Sequence, residues 1–442
     1  MFNRYISFYL LFAVINLYSQ DNNFLIDKNY QSIKIDSVLI IGNKITEQDI
    51  ILRELTFSVG DTVNYETLKY NRERIYSLGI FTHVELNITE STNANVLVIS
   101  VEESWYIYPI PFVELEDKDW DKISYGVYLV VKNFRGRNET ISSRGALGYD
   151  PSLNINYTNP YLIRDKNIYF SAQLAYVDAL NKSNTAEIIY GGEFSHKFIS
   201  ASVSAGKRIM LYHRVGLNLS FDYIETPQYV KTISASNDRI DKVISLGANY
   251  IYDTRDLAQF PREGMFASFE FKTKGLGLDE INYQVMTIDF REYRKIIGEL
   301  GAKWRVASRM TFGDNVPYYD RSYLGLGERI RGYYTTEQEG HEYYLGSLEL
   351  NYPLIKELNI NFDFVPLLPK ELLSYRVALY LSLFTDTGAT RLDGRTIGIK
   401  NFNSGYGAGL TLLVLPYNIL RVEHAFDEFG NNQWVLDLGI SF

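Results

Sequence analysis

Three charged residues in the last third of the chain could do chemistry together: Arg331, Glu349 and Asp386. A guanidinium and a carboxylate pair as a planar fork of parallel hydrogen bonds, which can pin a flexible segment to a fixed one. Arg331 lies in a long stretch, Gly313 to His341, that reads as a loop. The two carboxylates lie in segments of period two. In Leu345 to Tyr352, Leu348, Leu350 and Tyr352 share one face, so Glu349 points to the other. In Val377 to Asp386, Val377, Leu379, Leu381 and Leu383 share a face, and Asp386 lies opposite with Ala378 and Ser382. A loop long enough to fold inward could carry Arg331 to both carboxylates. The alternative is that both are solvated charges on a polar strand face.

No covalent or redox chemistry is legible elsewhere. The 442 residues include no cysteine, which excludes a disulfide-stapled scaffold, a Cys-ligated metal site and a cysteine nucleophile. No GxSxG, HExxH, P-loop or strand-to-helix GxGxxG motif is present. The five histidines (His83, His196, His213, His341 and His424) are widely spaced and read as interface or polar-face residues rather than metal ligands. No cofactor is expected, and an enzyme is the least expected class. A net charge of −9, spread along the chain, argues against nucleic acid as a partner. The chain is 46% hydrophobic and 15% aromatic, yet no apolar run after residue 18 approaches the roughly 18–20 residues of a spanning helix. Either this is a soluble β-rich protein, or its apolar strand faces look at lipid.

The elements that would position these residues can be read in chain order. Residues 1–19 have a basic start at Arg4, a short apolar stretch and a polar end, the layout of a secretory signal peptide. A retained N-terminal helix is the other reading, because Leu17 is large for a cleavage site. Residues 20–32 read as a short linker. From residue 33 the order is β-α-α-β-β: a strand over 33–40, a helix over 50–55 capped by Thr46, a helix over 65–78 stopped by Gly79, and strands over 81–88 and 96–101.

Residues 104–442 are rich in short alternating segments. Asn167 to Val177, Val243 to Asp253 and Gly264 to Thr273 each carry a fully apolar face opposite a small or charged one. A soluble sandwich also alternates. Strand lengths near the roughly 9–11 residues that cross a bilayer, aromatic face ends and alternating short and long connections favour a transmembrane barrel. Counting gives one strand too many for an even number, and merging 187–208 into one strand gives 16. The fold expected is mainly β, a 16-stranded antiparallel transmembrane β-barrel behind one small α+β domain. The first barrel strand carries Pro109, Pro111 and Val113, and the prolines lack ladder donors along one edge. The last carries Leu436, Gly439 and the terminal Phe442. A seam between them would be short of bonds, unless the prolines belong to the linker before the strand.

Residues 33–103 resemble a POTRA domain, through VLIIGN, the SVGD turn and LGIFTHVEL, with Gly60, Gly79 and Phe81 at hallmark positions. The resemblance implies a periplasmic domain whose strand edges pair with client chains; a spacer without a client is the alternative. Residues 104–442 resemble the BamA/TamA superfamily of outer-membrane assembly and secretion barrels, of the bacterial surface antigen type. IRGYY, with Arg331, Gly332 and Tyr333, is similar to the family's loop-six motif. LGSLELNYPL, LFTDTGAT and YDTRDLAQFPREG are similar to its flanking motifs, and the final strand to its C-terminal signal. The resemblance implies that Arg331 docks on Glu349 and Asp386, and that the seam is a lateral gate passing clients into the membrane. It implies outer-membrane lipid, unfolded outer-membrane or secreted proteins, and periplasmic chaperones or accessory lipoproteins as partners, and the outer membrane of a Gram-negative bacterium as location. Assembly or translocation is the activity expected. Dedicated secretion or lipid transport, and a passive pore, are the rivals.

Overall fold

The computed structural model describes residues 32–438, apart from 92–93, 116–121, 231–232, 278–279, 314, 326, 335, 363–368 and 393. The expected signal peptide, most of the linker, and Gly439 and Phe442 lie outside the described residues.

The N-terminal domain has the expected order. Strand β1 (Ser37–Ile41) pairs parallel with the central β3 (Ala94–Glu103), which pairs antiparallel with β2 (Phe81–Ser91). Helices α1 (Gln48–Leu52) and α2 (Tyr65–Tyr76) complete the domain. Three local expectations are corrected. The first strand is broken: Ile33–Lys34 pairs separately with Thr62–Val63, because Ile35 turns inward to full burial. Glu47, not Thr46, occupies the start of α1; the Thr46 hydroxyl instead donates to Glu103 at 2.8 Å. The second helix ends two residues early at Tyr76, and Asn64 caps its start by accepting from the Thr67 N–H at 2.8 Å. Gly60 and Gly79 both have positive φ, +100° and +67°, at turns, and Phe81 is fully buried in the domain core.

Sixteen strands form one antiparallel sheet in chain order, the first Ile107–Leu115 and the last Asn432–Leu438. The surplus strand is accounted for by helix α3 (Asn184–Tyr190), which precedes a single sixth strand, Ser195–Ile209. Period-two patterning does not register a two-turn helix inside a loop. Ser183 caps it by accepting from the Ala186 N–H at 3.0 Å.

Burial is inverted relative to a soluble protein. In the eighth strand, Ile240–Asp253, Ser245 is fully buried while neighbouring Leu246 is 48% exposed. Trp304, Val306, Leu348 and Leu383 are exposed in the same way, while Lys303, Arg305, Glu349 and Ser382 are buried. Leaving so many large apolar side chains outside is unfavourable in water, at about 25 cal/mol per Å², and neutral or better in hydrocarbon. Among the described residues no helix is long and apolar enough to cross a membrane.

The small domain packs against one rim of the barrel. Its core continues into the barrel rim through Leu257, Phe260, Ala378, Tyr380 and Leu413. Two buried carboxylates fasten it. Glu54 accepts from Arg74 of its own domain at 2.7 Å and from Arg208 of the sixth barrel strand at 2.6 Å. Glu73 accepts from Arg376 of the thirteenth strand, Ser374–Arg391, at 2.7 Å. Burial pushes the Glu73 carboxyl up, but Arg376 and Arg72 outweigh it and hold it at about 2. Glu54 is likewise pushed up by burial and held below its ordinary range by Arg208 and Arg74.

Candidate functional site

The connection between the eleventh strand (Leu300–Phe312) and the twelfth (Glu342–Asn361) is the longest between consecutive barrel strands, and it folds into the lumen. Its short strands Ser322–Leu324 and Gln338–Gly340 pair as a stem. Ile330, Leu324 and Tyr333 pack on Ala307, Tyr343 and Leu345 of the wall. Apolar packing therefore holds the loop's flanks, and its tip is left to polar contacts.

At the tip, Arg331 meets both carboxylates expected from strand alternation. Its Nε donates to Asp386 Oδ2 at 2.7 Å and its Nη2 to Asp386 Oδ1 at 2.8 Å, a complete fork. Its Nη1 donates to Glu349 Oε2 at 2.9 Å, and its backbone N–H to Asp386 at 3.0 Å. Its guanidinium lies 3.8 Å from the centre of the Phe384 ring. All three charged groups are buried, so the reading of Glu349 and Asp386 as solvated lumen charges does not hold.

Two glycines let the backbone lie this close. Gly332 has φ +103°, and a Cβ there would come within 2.6 Å of the Phe426 carbonyl oxygen. Gly405, on the fourteenth strand (Asn403–Leu415), faces the Arg331 carbonyl; a Cβ would stand 1.7 Å from that oxygen. Tyr333 turns the chain after the motif, its N–H donating to the Ile330 carbonyl at 3.0 Å.

A third carboxylate was not found from the sequence. Glu423, on the fifteenth strand (Asn418–Asp427), accepts from Arg331 Nη1 at 3.2 Å and from the Tyr334 hydroxyl at 2.8 Å. Its signal was available: Leu420 and Val422 alternate with Arg421 and Glu423, and a charged pair on the inward face of a barrel strand needs partners. Lys303 Nζ stands 2.7 Å from Glu349 Oε1. Arg305 joins Asp289 to Glu328 of the loop, at 2.7 Å to each. Taking so many charges from water is unfavourable unless each is paired and hydrogen-bonded, and the network supplies that pairing. Tyr334 also reaches the last strand, its N–H donating to Gln433 Oε1 at 3.1 Å. The upstream motif places Asp253 and Arg255 in a 2.7 Å ion pair, ahead of Pro261 and Gly264 at the rim.

The seam has the opposite character. Pro109 and Pro111 lie inside the first strand, paired with Leu129 and Val127, not in the linker. The Lys132 N–H donates to the Tyr106 carbonyl at 2.7 Å. Antiparallel alternation then aims the backbone groups of residues 107, 109, 111 and 113 away from the second strand, toward the seam. Both prolines therefore remove donors from the seam edge. Among the described residues no ladder joins the first strand to the last. Val113 and Leu436 are 68% and 70% exposed on the two sides.

An apolar-walled barrel, a loop latched in its lumen and an α+β domain on one mouth together define an outer-membrane type of transmembrane barrel. Residues 133–442 match the Omp85 superfamily domain and residues 33–104 match the surface antigen variable number repeat, the POTRA domain; the chain belongs to the Omp85 superfamily. It resides in the outer membrane with its POTRA domain in the periplasm. The outer membrane protein assembly factor BamA of Neorickettsia risticii is 24% identical over 447 residues, covering 93% of this chain and 55% of that protein. BamA of Nitratidesulfovibrio vulgaris is 23% identical over 355 residues, covering 73% of this chain and 41% of that one. The chain thus spans about half the length of these relatives. In fold it is similar to BamA from Haemophilus ducreyi lacking POTRA domains 1–3, with TM-score 0.54 and 16% identity, over 92% of this chain and 84% of that one. CdiB from Escherichia coli is similar to the same degree, TM-score 0.54 at 10% identity, over 92% of this chain and 76% of that one.

Proposed function

We propose that this chain assembles or translocates proteins at the outer membrane: the POTRA domain receives unfolded client strands, and the seam passes them into or across the bilayer. The observation that carries this reading is the donor-depleted, proline-bearing seam edge of the first strand. A closed barrel gains from a full ladder, so a strand that forfeits two donors at one edge is suited to exchange its partner. The edges of β1 and β2 offer backbone groups to any sequence, which suits varied clients. Arg331, Glu349, Asp386 and Glu423 act here as the lock that keeps the lumen wall rigid while the seam moves. No nucleotide motif accompanies them, so folding of the client supplies the drive.

A loop latched in the lumen and a POTRA domain fastened to the barrel rim favour this reading over a passive pore. Dedicated export of one partner is the second reading. Depleting the protein and quantifying the outer-membrane proteome separates the two. Loss of many barrels is the result expected; loss of one exported protein supports the second reading, and no loss contradicts both.

A further inference from the structure

Below the proline pair, a row of rings crosses from the first strand to the C-terminal strands. Tyr108 meets Tyr417 edge-on, with ring centres 5.7 Å apart at 62°. Tyr417 meets Tyr375 at 5.6 Å and 71°, and Tyr375 meets Phe362 at 5.9 Å and 67°. Edge-on packing at these separations is the favoured geometry for aromatic pairs. Both rings of the pair that crosses the seam, Tyr417 and Tyr108, are fixed from their own sides. The Tyr417 hydroxyl donates to the Glu371 carbonyl at 2.7 Å. The Tyr108 hydroxyl donates to the Trp105 carbonyl, and the Lys132 ammonium stands 5.8 Å from the centre of the Tyr108 ring.

Tyr417 lies in the turn joining the fourteenth and fifteenth strands. The contact therefore bypasses the sixteenth strand altogether. The first strand can part from the last along its proline-bearing length without breaking it.

We propose that Tyr108 and Tyr417 form an aromatic clasp at the periplasmic end of the seam, a hinge that stays closed while the strands above it separate. The clasp limits how far the barrel opens and makes the last strand the moving part. This rests on the seam reading above, and its test is independent of client assembly.

The full chain, which has no cysteine of its own, takes spin labels at two engineered cysteine pairs in lipid nanodiscs. One pair, Ile107→Cys with Asn418→Cys, spans the clasp; the other, Val113→Cys with Leu436→Cys, spans the seam above it. Pulsed dipolar spectroscopy should give a narrow distance distribution at the clasp and a distribution at least twice as broad above it. Tyr417→Ala should broaden the clasp pair to match the upper one, and Tyr108→Leu should do the same from the opposite side. Tyr417→Phe, which keeps the ring contacts, should leave most of the narrowness. Equal widths at both pairs in the parent chain, or an unchanged clasp distribution in both the Tyr417→Ala and Tyr108→Leu variants, would overturn the proposal. A parent chain that shows the expected distributions, and loses them in the variants, but assembles no client would count against the proposed function and leave the clasp standing.

Discussion

The lumen wall beneath the loop and the seam beside it are bonded in opposite ways. On the wall, one guanidinium is shared by three buried carboxylates from the twelfth, thirteenth and fifteenth strands. At the seam, the next strand but one along the barrel, two prolines take donors away from the edge. Strength therefore stands directly beside weakness. A barrel that must open somewhere without unfolding needs a rigid panel next to its door, and a desolvated ion network supplies rigidity that a Ser- and Asn-lined wall would not. The wall of strands five to nine is mostly of that second kind, with Arg208, Arg214 and Glu270 as its charges around the cavity. It borders a cavity of about 470 Å³ lined by Ser171, Ser204, Asn218, Asn249 and Ser268.

The rigid wall is most vulnerable at its shared guanidinium. Arg331→Ala leaves three buried carboxylates without their shared partner, and the local cost should be about 3–5 kcal/mol. Heat-modifiable electrophoretic migration should shift to lower temperature; a parental profile would show that the wall does not depend on the latch. Glu423→Gln removes one charge and keeps a group that can accept from Tyr334. The expected loss is about 1.5–3 kcal/mol, with Arg331 still forked on Asp386. A loss as large as that of Arg331→Ala would mean that the fifteenth strand, not the thirteenth, is the principal anchor.

The weak side can be strengthened in turn. Replacing Pro109 and Pro111 with valine returns two N–H groups to the seam edge, each worth about 0.5–1.5 kcal/mol if paired. The barrel should become more heat-resistant and its assembly activity should fall. Higher activity would contradict a seam that works by being underbonded. The smallest effect concerns the POTRA dock. Glu73 is held at about 2 when docked, below the ordinary glutamate value of roughly 4.3. A depressed carboxyl stabilises the docked state above its ordinary value, and that contribution is lost as pH falls toward 2. Protease sensitivity of the POTRA–barrel junction should rise across this window and remain flat from pH 6 to 8.

Much of this was legible in the sequence because period two is a strong signal when one face meets lipid. The same alternation set the faces of Glu349 and Asp386, and the loop-six resemblance pointed to Arg331. The parts that were missed share a cause. Glu423, Tyr334 and Gln433 act through contacts between strands far apart in sequence, and no local pattern encodes which inward charge faces which loop. The break at Ile35 and the role of Thr46 arise from tertiary demands, one from core burial and the other from Glu103, which override local propensity. Helix α3 is too short for a periodic pattern to register.

Closing the seam tests most directly whether clients pass through it. Cysteines at Val113 and Leu436, in a chain that otherwise has none, can be bridged by a bifunctional thiol reagent in the outer membrane. Bridging should abolish client assembly and cleaving the bridge should restore it, with heat-modifiable migration unchanged throughout. Full assembly activity with the seam locked would contradict passage of clients through the seam.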